Sequence, residues 1–261
     1  MTSAPARPRL LVTGAAGRVG TALRPLLRHT HDLLLFDREP APAPYAGETV
    51  LIGNLAEYRD VAGAVRGVDA VLHLACVHGL GLRFEDSLDA NFTGTVNLLE
   101  GVRASGVVRL VYASSHHVLG LHPLSGFRGD DAEFAPDAVY GLGKAFGELA
   151  CRTYAQRYGI ATLVIRIGNA DRKVTDARSL RLWTSARDLA QLVLIGLEHP
   201  DIGFDVVYGV SASPDPLFAN ERARELGYRP VDAADEVTAA LGRHLVVGDE
   251  VRREVLGGGY A

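Results

Sequence analysis

Apolar residues along this chain gather into short dense runs, and between the runs they recur at helical spacing, the pattern of buried strands covered by helices. Arg9-Leu10-Leu11-Val12-Thr13 opens the series, and Leu23, Leu26 and Leu27 then line up as on one helix face. Further runs predict strands at residues 33–36, 49–52, 68–74, 107–113, 162–167 and 204–210. Helical patterns follow at 91–100, from Tyr140 onward, at 188–197 and at 219–226, the last closed by Gly227. Strands and helices that alternate in this way predict an α/β fold with a doubly wound parallel sheet.

Breaks in the pattern add detail. Pro25 removes a backbone donor inside the first helix, so a kink or a loosened turn is expected there. Pro40, Pro42 and Pro44 predict an extended surface loop. From Asp171 the chain becomes charged, with Arg172, Lys173, Arg178, Arg181 and Arg187 around the single tryptophan, Trp183, and reads as a substrate-side loop. The tail, 248–261, is charged and then glycine-rich, which predicts mobility.

Composition narrows the class. With 261 residues and 48% of them hydrophobic, the chain can bury a sizeable core. Its 27 basic and 31 acidic residues are mixed along the sequence, which recommends neither nucleic acid nor an anionic membrane, so the expected partner is a small molecule. No run approaches the roughly 18 apolar residues of a membrane span, and residues 1–9 lack the apolar core of an export signal; the cytoplasm is expected. Cys76 and Cys151 both sit in apolar segments without metal-ligand spacing and read as buried free thiols.

The candidate chemistry starts at Gly14-Ala15-Ala16-Gly17-Arg18-Val19-Gly20, between a predicted strand and helix. Glycines in such a turn let backbone N–H groups at a helix N-terminus approach a pyrophosphate, so Gly14, Gly17 and Gly20 are expected to cradle a dinucleotide. Asp37 ends the second strand, where an acid meets the adenosine ribose hydroxyls; its charge would repel a 2′-phosphate, which favours NAD over NADP. Asn54 is either a turn former or an adenine contact. His78 leaves the C-terminal end of the fourth strand and could face substrate, and Ser115 closes the fifth. Tyr140-x-x-x-Lys144 puts a phenol and an ammonium on one helix face. A phenol titrates near 10, so Tyr140 could act as a base at neutral pH only with cations nearby, namely Lys144 and an oxidised nicotinamide. His73, His78, His116, His117 and His122 lack the spacing of a metal site, and no metal is expected.

The motifs in their order resemble the extended short-chain dehydrogenase/reductase family, also described as NAD-dependent epimerases and dehydratases. They are the glycine turn, His73-Leu74-Ala75, Asn91-x-x-Gly94-Thr95-x-Asn97-Leu98-Leu99-Glu100, Ser114-Ser115 and Tyr140-x-x-x-Lys144. Within it the chain looks most like the uronate dehydrogenases, through Ala113-Ser114-Ser115-x-His117, Val164-x-Arg166-Ile167-Gly168, and Arg178 five residues before Trp183. The resemblance implies a Rossmann-like dinucleotide-binding domain over 1–170 and a small substrate-binding region over 171–261 that partly rejoins the sheet. It implies that Ser115 holds the reacting hydroxyl, Tyr140 takes its proton, and Lys144 binds the nicotinamide ribose. Ala16, Arg18, Val19, Leu55, Leu74, Ala75, Cys76, Asn91 and Ile167 would join Gly14, Gly17, Asp37 and Asn54 around NAD. His78, His116, His117, Asn169 and Arg178 would contact substrate, Arg178 gripping the carboxylate of a uronate oxidised at C1 to its aldonolactone, in a homo-oligomer. His78, His116 and Asn169 depart from the residues those enzymes carry, Ser, Asn and Ser respectively. The rival readings are a nucleotide-sugar epimerase with bound NAD and a non-catalytic dinucleotide sensor.

Overall fold

The structure, a computed structural model, describes residues 7–79, 81–125, 128–171, 174, 176–236 and 255–260. Its strands are β1 (Arg9–Thr13), β2 (Asp32–Asp37), β3 (Thr49–Ile52), β4 (Ala70–His73), β5 (Arg109–Ser115), β6 (Ala161–Ile167) and β7 (Phe204–Gly209). Its helices are α1 (Arg18–Leu27), α2 (Tyr58–Ala64), α3 (Phe84–Ser87), α4 (Gly94–Ser105), α5 (Val139–Tyr158), α6 (Ala177–Leu182), α7 (Ala186–Glu198) and α8 (Glu221–Glu225). All seven strands join one parallel sheet in the order β3-β2-β1-β4-β5-β6-β7. No helix among the described residues is long and apolar enough to cross a membrane.

The apolar runs lack polar alternation because both faces of the sheet are covered. Leu10, Val12, Leu33 and Leu35 pack on one face beneath Leu23 and Leu27 of α1 and Leu189, Leu192 and Val193 of α7. Leu11, Leu34, Val71 and Leu110 point the other way, onto Val61 of α2, Leu98, Leu99 and Val102 of α4, and Cys151 of α5. The chain winds outward from β1 to β3 and returns to place β4 on the other side of β1. A crevice opens at such a reversal, beyond the carboxyl ends of the strands, because the connecting helices diverge to opposite faces.

Several expectations are corrected. The strand expected at 68–74 is confined to Ala70–His73, and that expected at 107–113 begins later and runs on to Ser115. Helix α1 continues through Pro25 and ends two residues beyond it, so the missing donor falls in the last turn. A π-helical turn, Leu88–Thr93, precedes α4. The charged stretch after Asp171 is not all loop: Asp176 and Ser179 form a reciprocal capping box that starts α6, and Arg187 lies on α7. Arg172 and Lys173 fall outside the described residues. Within the tail, Leu256 is wholly buried, Gly257 is buried and Gly259 is exposed, while 248–254 and 261 fall outside the described residues.

Candidate active site

A cleft of 770 Å³ runs across the C-terminal ends of β1, β2, β4, β5 and β6. Its two ends differ in chemistry. At one, Gly14 adopts φ +71°, and a Cβ there would come 2.5 Å from Ala75 N, so only glycine lets the turn after β1 lie against the loop after β4. Gly17 then starts α1 without a capping side chain, and Gly17, Arg18 and Val19 line the cleft at the positive end of the helix dipole. Ala16 N–H donates to Asp37 Oδ2 at 2.9 Å and Arg38 N–H to Asp37 Oδ1 at 2.7 Å. Two backbone donors fix this carboxylate, and its remaining lone pairs can accept from ribose hydroxyls. Asn54 and Leu55 form the adjoining wall; Asn54 Oδ1 accepts from Ala56 N–H at 3.1 Å, a local turn, while its residue also faces the cleft. This end therefore has the shape, donors and acid that a dinucleotide requires.

At the other end, Ser115 and Tyr140 line the same cleft as Lys144, Ile167 and Asn169. Ser115 is buried and its Oγ accepts from His117 N–H at 3.3 Å. Lys144 is also buried; its Nζ donates to Ala113 O at 2.7 Å and lies 5.9 Å from the centre of the Tyr140 ring. The Tyr140 ring meets two imidazoles edge on, His78 at 6.0 Å and His117 at 5.5 Å. Burial first, then the Arg18 and Lys144 charges, hold His78 below the usual histidine range.

His116 shows how a substrate wall is wired. Its Nδ1 lies 3.2 Å from Ile167 O, which can only accept, so Nδ1 carries the proton and Nε2 is the acceptor. Arg178 Nη1, which can only donate, lies 3.5 Å from that Nε2. Burial, followed by the neighbouring His117 and Arg178, pushes the imidazole well below its ordinary pKa, in keeping with this neutral tautomer. Arg178 Nη1 also donates to Leu256 O at 2.7 Å.

Most of the expected site residues meet here: Gly14, Ala16, Gly17, Arg18, Val19, Asp37, Asn54, Leu55, Leu74, Ala75, Cys76, His78, Ser115, His116, His117, Tyr140, Lys144, Ile167, Asn169 and Arg178 line the cleft. Cys76 is half-buried in that wall, whereas Cys151 is buried in the core. Asn91 lies behind the wall: its Oδ1 accepts from Val77 N–H at 2.8 Å and its Nδ2 donates to Val77 O at 2.9 Å, so it pins the loop that carries Cys76 and His78. His73 sits below the cleft, bonded to Thr13 and Thr95. Among the described residues no three His, Cys, Asp or Glu side chains cluster as a metal site needs.

Sequence reasoning missed three contributors. Asp137, whose side chain is fully buried, accepts from His117 Nδ1 at 2.5 Å. Asp171 pairs with Arg18 across the cleft mouth at 2.9 Å. Leu256 presents its carbonyl to Arg178. Nothing in the sequence separates such an aspartate from a surface turn residue, since each pairing joins segments far apart in the chain.

Known proteins place this geometry in context. Residues 10–170 match the model of the NAD dependent epimerase/dehydratase family. The chain is 38% identical over 253 residues to a uronate dehydrogenase of Pseudomonas syringae pv. tomato, covering 96% of this chain and 92% of that one. A mutant uronate dehydrogenase from Agrobacterium tumefaciens, crystallised in complex with NAD, superposes with a TM-score of 0.91 at 32% identity, covering 98% of this chain and 97% of that one. A glucuronic acid dehydrogenase structure from Chromohalobacter salexigens gives a TM-score of 0.90 at 34% identity, over 97% and 96% of the two chains.

Proposed function

Since the chain belongs to the NAD dependent epimerase/dehydratase family, we propose that it is an NAD-dependent dehydrogenase that oxidises a uronate at C1 to the aldonolactone. The observation that carries this reading is the meeting in one cleft of Ser115 and Tyr140, groups suited to a sugar hydroxyl, with Arg178, a group suited to a carboxylate. Asp37 and the glycine turn fit NAD at the opposite end. NAD bound there supplies the acceptor for the hydride that leaves C1. Ser115 holds the C1 hydroxyl, and Tyr140 withdraws its proton as the C1–H bond breaks. Lys144, buried and held by the Ala113 carbonyl, stays aligned as a cation beside the Tyr140 ring, where it favours the phenolate. Arg178 pairs with the C6 carboxylate, while His116, His117 and Asn169 face the ring hydroxyls.

Leu142 and Leu149 of α5 and Val96 of α4 are exposed on neighbouring helices, a face that a second copy of the chain would cover and that supports the expected homo-oligomer. A dehydrogenase drawing on a nicotinamide pool fits the cytoplasmic location expected from the sequence. Incubation with NAD and a panel of glucuronate, galacturonate, glucose and galactose, followed by NADH absorbance, tests the assignment. NADH should form with the acids and far more slowly with the neutral sugars. An absence of NADH with every acid, or tight UDP binding by calorimetry, would overturn it in favour of a nucleotide-sugar enzyme.

A further inference from the structure

The end of the chain reaches the substrate side of the cleft. Leu256 is wholly buried against Val118, Leu119 and Leu182, and Leu182 belongs to α6, the helix that carries Arg178. Backbone bonds fasten the segment to the stretch after β5: Leu256 N–H donates to His122 O at 2.9 Å and Gly257 N–H to Gly120 O at 2.8 Å, while Val255 pairs with Pro123. The glycines that follow are shaped by two charged groups of the site. A Cβ on Gly257 would collide with the Asp137 carboxylate, the partner of His117. Gly258 has φ +57°, and a Cβ on it would come 2.8 Å from Arg178 Nε and 3.0 Å from Cζ. The Gly258 backbone thus lies close against the guanidinium, where a side chain would strike it, and the Leu256 carbonyl accepts a hydrogen bond from Nη1 at 2.7 Å.

We propose that residues 255–258 form a specificity element that holds the Arg178 guanidinium in register for the substrate carboxylate. The proposal rests on the reading of this cleft as a uronate site. A long arginine side chain has many rotamers, and two parallel N–H bonds to a carboxylate form only when the fork is held in plane. Leu256 O restrains one end of the fork and His116 Nε2 flanks it, so the ordering is done before substrate arrives. The segment acts through Arg178 and is a positioning element, without contact to the reacting atoms.

The test compares the wild type with a chain ended after residue 254 and with the full-length Leu256→Ala variant, which keeps the segment but loosens its anchor. Each is also made in an Arg178→Ala background. Glucuronate KM and kcat are measured with saturating NAD, and NAD affinity reports on the fold. Misplacing a binding group by about 1 Å costs on the order of 100-fold, so truncation should raise the glucuronate KM by about 10- to 100-fold and Leu256→Ala by about 5-fold, with NAD affinity within about twofold. In the Arg178→Ala background the same changes should add less than about twofold. An unchanged glucuronate KM in both variants overturns the proposal, and so does an equal cost with and without Arg178, which would mark the segment as merely structural. A wild type that oxidises glucuronate normally while the variants are unaffected sinks this inference alone. A wild type inert to every uronate removes the uronate reading, and this inference with it.

Discussion

Tyr140 stands between His78, His117 and buried Lys144, so its phenol faces one fixed cation and two imidazoles. Tyr140→Phe removes only an oxygen from a half-buried ring and should leave NAD binding and folding intact. Turnover should fall about 100- to 10,000-fold, roughly 3 to 5 kcal/mol, the range for a lost general base. Undiminished kcat would refute the proton-transfer role. Asp37 accepts from Ala16 N–H at the glycine turn, so Asp37→Ala should loosen that turn and also delete a ribose acceptor. Because the same change lifts the repulsion of a 2′-phosphate, NAD affinity should drop about tenfold and NADP affinity much less. Calorimetric titration with both cofactors decides this; an equal drop would mean Asp37 serves only the turn. For Arg178→Ala, loss of bonds to a charged group predicts a decrease of about 10- to 150-fold in kcat/KM on glucuronate, with Arg178→Lys also poor because one ammonium cannot replace a planar fork. Glucose should be oxidised as slowly by the variant as by the wild type.

Helix α5 brings most of the chemistry to the sheet, and it does so through glycines. Gly147 faces Tyr112 of β5, and a Cβ there would run into the phenol; Gly143 packs beside Asn91. The close approach lets Lys144 reach the Ala113 carbonyl and lets Glu148 accept from Ser114 Oγ at 2.5 Å and from Arg166 Nη2 at 3.0 Å, tying α5 to β5 and β6. Propensity alone would favour alanine over glycine in a helix interior by about 1 kcal/mol. Packing should win here, because Tyr112 is buried and cannot swing away. Gly147→Ala is therefore expected to lower stability by about 1 to 3 kcal/mol, as overpacked cores do. Urea unfolding reads the difference, and a midpoint equal to or above that of the wild type would show that α5 can move off the sheet at no cost.

Across the whole molecule, buried histidines set an acid limit. His73 donates and accepts within a closed network: Thr95 Oγ gives its proton to Asn91 O, so it accepts from His73 Nε2, and Thr13 Oγ donates to Nδ1. With both nitrogens committed, burial pushes the His73 pKa down to about 3, Lys144 adding to the effect. The unfolded chain takes up this proton near pH 6.5 and the folded chain only near 3, so between those values the unfolded state binds more protons and stability falls as pH falls. At pH 5 the loss from His73 should be about 2 kcal/mol relative to pH 7.5, and His116 acts with the same sign. Denaturant midpoints at the two pH values measure it, and His73→Gln should flatten the slope. A pH-independent midpoint in the wild type would contradict the buried neutral state.

Local pattern was enough to reveal the strands, their parallel winding, the glycine turn and the Tyr140 to Lys144 spacing, because each rests on residues within a few positions of one another. Strand ends were less legible, since β5 extends to Ser115 only where Ser114 and Ser115 find partners on β6. The start of α6 and the seating of Leu256 were not legible for a related reason. A capping box and one buried leucine outweighed a charged and glycine-rich composition. The pairing of His117 with Asp137, the bridging of Arg18 to Asp171, and the seating of Leu256 on Arg178 were decided by tertiary structure alone. Each brings together side chains or carbonyls separated by many residues: burial selects the His117–Asp137 and Leu256–Arg178 contacts, the exposed Arg18–Asp171 pair meets only because the fold juxtaposes its two segments, and no local stretch of sequence contains either cause.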